Sequence, residues 1–354
     1  MRAAASALIH LTTAMPTTVF AQSLRLLLAL GLATAVLVAV GLMVGSLGLQ
    51  PWSQLWTDDV ARQIVWEIRA PRTLGAWLAG CLLGLSGAIA QGVFRNPLAD
   101  PYLLGSSSGA SVGVVVMLAL MGGSSVWAGW AQQMGLTLAA FVGAVVAVLL
   151  TMALAKGVQH TLRLLLAGVI VAVVLGAVGS LIALMHPHTL QTMQAFALGS
   201  TAHVSWGAVL LMMGVLALAV ALATLSSRVL DGLALGEDTA RSLGLPVARM
   251  RLGLVLLLAL ATGVAVAHTG LIAFVGLAAP HLVRSIVRPA YRWLLPLSAL
   301  MGGLLLLASD LAARWLWAPQ ELPVGVLTAI LGGTYLLALM YRSGTMSPAR
   351  GGQA

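Results

Sequence analysis

The sequence predicts an all-α, polytopic membrane protein with about ten transmembrane helices, and three observations carry that reading. Sixty per cent of the 354 residues are hydrophobic and 8% are charged, against about a quarter charged in a soluble domain. No charged residue lies between Asp100 and Lys156, or between Arg163 and Arg228. The apolar runs are continuous rather than alternating, which selects helices over a closed barrel; only these two structures satisfy their backbone in lipid.

A spanning helix needs about 20 mostly apolar residues. Ten such runs follow in order: 24–47, 73–94, 103–121, 134–154, 163–185, 206–225, 250–268, 271–287, 293–313 and 323–341. Two charge-free tracts are too long for single spans, and the clusters "MGGSS" at 121–125 and "MHPHTLQTMQ" at 185–194 divide them. The first run is much longer than a signal-peptide core and no small-residue cleavage site follows it, so it reads as a retained helix. The expected organisation is an N-terminal cytoplasmic segment, 1–23, a transmembrane domain, 24–341, and a cytoplasmic tail, 342–354.

With the N-terminus in the cytoplasm, the inner segments hold 14 of the 18 Lys and Arg residues, as the positive-inside rule requires. Arg62, Arg69, Arg72 and Arg314 fall on the outer side and need a reason to be there. The net charge of +9 is the charge of a chain anchored to an anionic leaflet, not of a nucleic-acid binder. Trp52, Trp56 and Trp66 have the character of an interfacial aromatic belt.

Several chemistries are excluded. A Walker A loop needs a lysine beside its phosphate-cradling glycines, and the single lysine, Lys156, sits in "ALAKGVQH". No HExxH motif or cysteine cluster offers a metal site. Cys81 is alone and reads as packing, and His186 and His188 in "MHPH" read as a surface loop. Ion-coupled carriers place acids or histidines inside their spans. Here the nearest case is Asp310, which lies one turn before Arg314 and is spaced to pair with it. A transporter with neither a nucleotide site nor an ion site must take its energy from a partner. An ion-coupled carrier working through Asp310 and a non-transporting membrane scaffold remain the alternatives.

"ALGEDTARSLGLPVARMR", residues 234–251, gathers five charges into 18 residues: Glu237, Asp238, Arg241, Arg249 and Arg251. Glu237 and Asp238 suit the first turn of a short helix, where acids complement the positive end of its dipole. Gly244 suits the position just past its end, and Pro246 stops any continuation. Ala240 and Leu243, three residues apart, make a small apolar stripe. So short a helix is marginal alone and must pack, either on its own transmembrane neighbours or in a groove of a cytoplasmic ATPase.

"LGEDTARSLGLPV" resembles the cytoplasmic coupling segment of permeases in type II ABC importers, the FecCD family, which move ferric siderophores, haem or vitamin B12. Three further blocks resemble the family in the same order: "RAPRTLGAWLAGCLLGLSGAIAQGVFRNPLADPYLLGSSSGASVG" from Arg69 to Gly113, "GLIAFVGLAAPHLVR" from Gly270 to Arg284, and "ELPVGVLTAILGG" from Glu321 to Gly333. The resemblance covers nearly the whole chain. It implies a permease of the bacterial inner membrane that works as a homodimer. Two ABC ATPase subunits would bind below and use the ATP, and a periplasmic binding protein would deliver an iron complex, haem or corrinoid from above. Ferric siderophore is the first choice among these. The permease itself would do no bond chemistry and bind no cofactor. The coupling segment, about 232–248, would contact the ATPase through Gly236, Glu237, Asp238, Ala240, Arg241, Leu243 and Gly244. Arg69, Arg72 and Arg314 match arginines that meet glutamates of the binding protein. Pairing with Glu67, Asp310 or Glu321 within the chain is the alternative.

Asn96–Pro97 and Asp100–Pro101 force a non-helical turn, because residues before proline avoid the α region. Beyond it, Gly109 and Gly113 suit close helix packing, whereas Ser106, Ser107 and Ser108 suit packing or the pathway wall equally. Pro280 and His281 stand near an inner helix end, with His281 expected as a hydrogen-bonding anchor. Phe196 stands where many family members carry tryptophan.

Overall fold

The computed structural model describes residues 17–45, 48–49, 58–121, 130–155 and 161–344. Trp52, Trp56, Lys156, most of "MGGSS" and the ends of the chain lie outside them. Among the described residues the fold is helical apart from a two-residue antiparallel pair, Val44–Gly45 with Gly48–Leu49. In chain order the helices are α1 (Thr17–Met43), α2 (Asp59–Ile64), α3 (Ala70–Phe94), α4 (Ser106–Met121), α5 (Trp130–Leu154), α6 (Thr161–Met185), α7 (Leu190–Leu198), α8 (Trp206–Leu225), α9 (Ser227–Ala234), α10 (Glu237–Ser242), α11 (Val247–Thr269), α12 (Val275–Ile286), α13 (Tyr291–Trp315) and α14 (Val324–Gly344). A π-helical turn, Val65–Arg69, joins α2 to α3 into one long rod.

Among the described residues, seven helices are long and apolar enough to cross a membrane. The shorter apolar helices α4 and α14 stand beside them, and α12, with 12 residues, is too short to span, so the count of about ten is met only approximately. Several boundaries differ from the sequence reading, the second span among them, whose rod begins at Asp59 rather than 73. The first helix begins at Thr17, not 24. The third begins at Ser106, because Pro101–Leu104 forms a 3-10 turn that ends in the left-handed Gly105 (φ 79°). The eighth is only the 12-residue α12, because 270–274 is irregular and Phe274 itself is left-handed (φ 68°). The expected loop at 185–194 is also partly helical: the turn ends at Thr189 and α7 follows.

The bundle is organised around α3, whose residues are buried almost throughout. It packs against α13, α11, α12 and α8. Glycine makes this possible. A Cβ on Gly80 would fall on the Gly302 carbonyl, one on Gly84 on the Ser298 carbonyl, and one on Gly87 on the Gly276 carbonyl. Small residues let helix backbones meet where lipid supplies no hydrophobic drive. The same device joins α4 to α5, where Gly109 lies against Gly143 and Gly113 against Ala139.

Outer helices turn an apolar side outward. On α1, Phe20, Leu24, Leu28, Leu32, Val36 and Val40 recur every fourth residue and are exposed. The opposite face sets Leu30, with Leu26 and Leu27, against Leu294, Leu297 and Met301 of α13. A stripe of that spacing is the lipid-facing side of a helix.

Candidate functional site

The polar chemistry of the chain collects at the two ends of the bundle. At one end, α9 and α10 form a compact cap. Val229 and Leu233 of α9, Ala240 of α10 and Val247 of α11 share one small buried cluster, with Leu245 against it. Leu230 reaches further, into the main core beside Val93 and Leu295. The segment is therefore rooted in the bundle rather than loose on its surface.

Within α10, Gly236 (φ 121°) and Gly244 (φ 77°) bracket the helix in backbone conformations that favour glycine. Glu237 is held between two arginines: Oε1 accepts from Arg241 at 2.7 Å and Oε2 from Arg251 at 3.0 Å. Arg251 is 1% exposed. Asp238, Thr239, Arg241, Ser242 and Gly244 face outward. The expected Ala240–Leu243 stripe does not form. Ala240 is fully buried, whereas Leu243 is 48% exposed, because the helix ends at Ser242 and Leu243 has already left helical geometry (ψ 1°).

A second polar set ties this cap to the bundle. Asp231 of α9 accepts the backbone N–H of Tyr291 at 3.0 Å and so caps the first turn of α13. Arg284 of α12 binds Gln91 of α3 and donates to the Tyr291 hydroxyl at 3.3 Å. Gln91 in turn donates to the Leu277 carbonyl at 3.2 Å. Among the described residues His281 has a ring contact rather than the expected hydrogen bond, packing edge-on to Tyr335 at 5.8 Å. Nothing in the sequence reading singled out Asp231 or the Arg251 pair. The apolar spacing of Val229, Leu230 and Leu233 was the available signal for α9.

At the opposite end, all three candidate docking arginines are engaged within the chain. Arg69 donates to the carbonyls of Leu42 and Met43 at 3.2 Å each, closing the C-terminus of α1. Arg314, 1% exposed, binds Asp310, the Gly41 carbonyl at 3.4 Å and Thr73 Oγ1 at 3.3 Å. Arg72 reaches Glu321 at 2.7 Å and Asp310 at 3.4 Å. Asp310 also accepts from Thr201. Cationic side chains at a helix C-terminus complement its dipole, which gives Arg69 and Arg314 a structural reason to be on this side. Glu67 stays exposed, and Arg62 pairs with Asp59 at the surface. Trp66 stacks on Trp206 at 4.9 Å.

At the capped end α3 runs into a turn, with Gly92 lying against Leu230 and Tyr291. Arg95 takes a left-handed conformation (φ 49°), and its N–H returns to the carbonyls of Gln91 and Gly92. Asn96 Oδ1 accepts from Leu98 N at 2.9 Å, which fixes the Asn96–Pro97 turn. Asp100 caps the following 3-10 turn through Tyr102 N at 2.8 Å. The Tyr102 hydroxyl reaches the Ile272 carbonyl at 3.0 Å, pinning this turn to the irregular 270–274 segment. Ser106 is buried, Ser107 and Ser108 are half-buried, and Gly109 is buried against α5.

A membrane bundle with a capped polar unit at one end belongs to a chain that a family model matches over most of its length. The model of the FecCD transport family covers residues 32–342. The chain belongs to that family. It is 39% identical over 326 residues to the Yersinia pestis hemin transport system permease protein HmuU, covering 90% of this chain and 96% of the relative. It is 37% identical over 323 residues to the vitamin B12 import system permease protein BtuC of Salmonella paratyphi A, covering 91% and 96%. A solved inward-facing structure of a metal-chelate type ABC transporter superposes with a TM-score of 0.80 at 29% identity, covering 90% of this chain and 99% of the other. This FecCD protein is a multi-pass permease subunit of a type II ABC importer in the bacterial inner membrane.

Proposed function

We propose that this permease pairs with a second copy to form the import pathway for a bulky metal chelate: a ferric siderophore, haem or a corrinoid. The observation that carries the reading is the α9–α10 cap. Its Ala240 side is rooted in the bundle, while Asp238, Thr239, Arg241, Ser242 and Leu243 stand outward. A face of that kind suits a groove on an ATPase subunit, one per copy, with ATP bound and hydrolysed there and no cofactor on this chain. Both termini then lie on the cytoplasmic side.

The relatives named for hemin and vitamin B12 support a large, planar-ringed metal complex as cargo. At the outer end, Arg72 and Glu321 are the partly accessible pair. A carboxylate on a docking periplasmic protein can take Arg72 only by exchanging with Glu321, and charge exchange of this kind sets register and encounter rate more than affinity. Asp310 is held by Arg72, Arg314 and Thr201, which leaves it badly placed to bind and release a coupling ion.

Reconstituted vesicles test the proposal. Permease, ATPase and binding protein are combined, and uptake of labelled haemin, cobalamin and a ferric siderophore is followed. One chelate should accumulate only when ATP and the binding protein are both supplied. Accumulation driven by an ion gradient without the ATPase would sink the importer reading in favour of a carrier.

A further inference from the structure

The ion pair Glu237–Arg251 bridges α10 and α11. Arg251 sits in the second turn of α11 with its side chain buried. A guanidinium cannot shed its proton in a protein, so its burial cost must be offset by a fixed carboxylate. Arg251 is the buried member and Glu237 is 23% exposed, so removing the carboxylate leaves the buried guanidinium short of counter-charge. Glu237 is thereby held at one place on α11, and α10 with it.

The helix on the other side of that contact is the bundle's inner rod. Leu254, Val255 and Leu258 of α11 lie in the main core beside α3. Further along, Ala261, Val264 and Ala265 join the outer core with Leu78, Leu82 and Val209. At its far end the Thr269 carbonyl accepts from Ser200 N at 2.8 Å, and Gly270 lies against the Phe196 carbonyl. Thr201, the next residue, binds Asp310. A close-packed helix moves as a unit, since packed interiors transmit strain rather than absorb it. The peptide connection from α10 to α11 is less suited to carrying force, because it runs through Gly244 in the left-handed region, where glycine is conformationally permissive.

We propose that the Glu237–Arg251 ion pair is the strut that carries displacement of α10 into α11, with Arg251 as a positioning residue for energy coupling. The proposal rests on the reading that α10 seats on the ATPase. Without the strut, the ATPase still binds α10 and turns over, but its motion is taken up in the Gly244–Pro246 connection.

The test uses the complete transporter with its binding protein, and compares wild type with Arg251→Gln and with the exchanged pair Glu237→Arg/Arg251→Glu. Three quantities are read: ATPase capture, ATP hydrolysis and chelate taken up per ATP. Arg251→Gln should capture the ATPase normally and lower uptake per ATP by about fivefold or more, the usual range of a coupling free energy. The exchanged pair should recover a substantial part of that loss. A role confined to folding would lower all three quantities together and would not be rescued in the ratio. An unchanged ratio in a folded Arg251→Gln protein overturns the strut. So does loss of ATPase capture by that variant, which would make Arg251 part of the docking contact instead. If Arg251→Gln does not fold, the exchanged pair decides, and a folded exchanged pair with a persistently low ratio overturns the proposal. Failure of wild type to capture any ATPase would remove the importer reading, and the strut with it.

Discussion

Asp310 lies one helical turn before Arg314, and the two are buried together in an ion pair at the end of the bundle opposite the α9–α10 cap. Arg72 completes the group, shared between Asp310 and Glu321. The acid that a carrier mechanism would recruit is here the counter-charge for two arginines, Arg72 and Arg314. Asp310→Ala should therefore destabilise the protein by about 3–5 kcal/mol, the cost of stranding a buried partner. Asp310→Leu/Arg314→Leu should cost less than either single change, since no charge is then stranded. Denaturation midpoints in detergent check both, and a silent Asp310→Ala would remove the electrostatic account of this end.

A Cβ on Gly87 of α3 would fall on the Gly276 carbonyl of α12, so the two backbones meet there. Pro280, four residues after Gly276, has no N–H to give the Gly276 carbonyl, and that carbonyl faces Gly87 instead. Gly87→Ala places a methyl on this carbonyl and has no flexible side chain to push aside. A loss of about 3 kcal/mol is expected, at the upper end for overpacking. Gly214 is the control. A Cβ there meets nothing within 4 Å, so Gly214→Ala should be neutral or gain up to about 1 kcal/mol from helix propensity. Thermal unfolding of the two variants side by side distinguishes packing from composition.

Hydropathy made the membrane helices legible, and it failed where an apolar run is not a helix. Residues 270–274 read as part of a span because Leu271, Ile272 and Phe274 are as apolar in an irregular turn as in a helix. Irregular backbone at membrane depth is tolerated where protein surrounds it, and here Tyr102, Gly199 and Gly332 do so. Conversely α7 was hidden behind Pro187 and two histidines that belong only to the 3-10 turn before it. The Glu237–Asp238 start and the Gly244 stop of α10 were readable from local chemistry. The partners of Arg72 were not decidable, because Asp310 and Glu321 lie 238 and 249 residues away in sequence. The separation of Ala240 from Leu243 depends on one residue of helix length, which sequence fixes poorly.

Asp231 offers a pH test at the inner end. Burial raises its carboxyl above the ordinary value of 3.8, and the hydrogen bond from Tyr291 N opposes that shift. The native state then holds this proton more tightly than the unfolded chain. By linkage, the group's contribution to stability falls as pH rises through the window from about 4 up to the raised value, and is flat above it. Asp231→Asn keeps an acceptor for Tyr291 N without a charge to bury. It should lose this slope and equal or exceed wild type at neutral pH. Asp231→Leu leaves the Tyr291 N–H unpaired and should lose about 1–3 kcal/mol. Melting curves across that pH range read the difference, and an Asn variant markedly weaker at neutral pH would show that the charge itself is needed.

Leu243 separates folding from partner binding. Its side chain contributes nothing to the cluster that holds α10, which uses Ala240 and Leu245 instead. An exposed leucine beside a charged helix is costless to lose for stability, so Leu243→Ser should shift folding by no more than about 0.5 kcal/mol. If the outward face of α10 enters an ATPase groove, burying that leucine there contributes about 1.5–3 kcal/mol, and the variant should bind the ATPase roughly tenfold or more weakly. Ala240→Asp is expected to show the reverse order, with fold loss first, because it forces a charge into the Val229–Leu233–Val247 cluster. Affinity of the purified permease for its ATPase, measured beside thermal stability, resolves the two. An unaltered affinity in Leu243→Ser would move the contact to Asp238 and Arg241, on the polar side of the same helix.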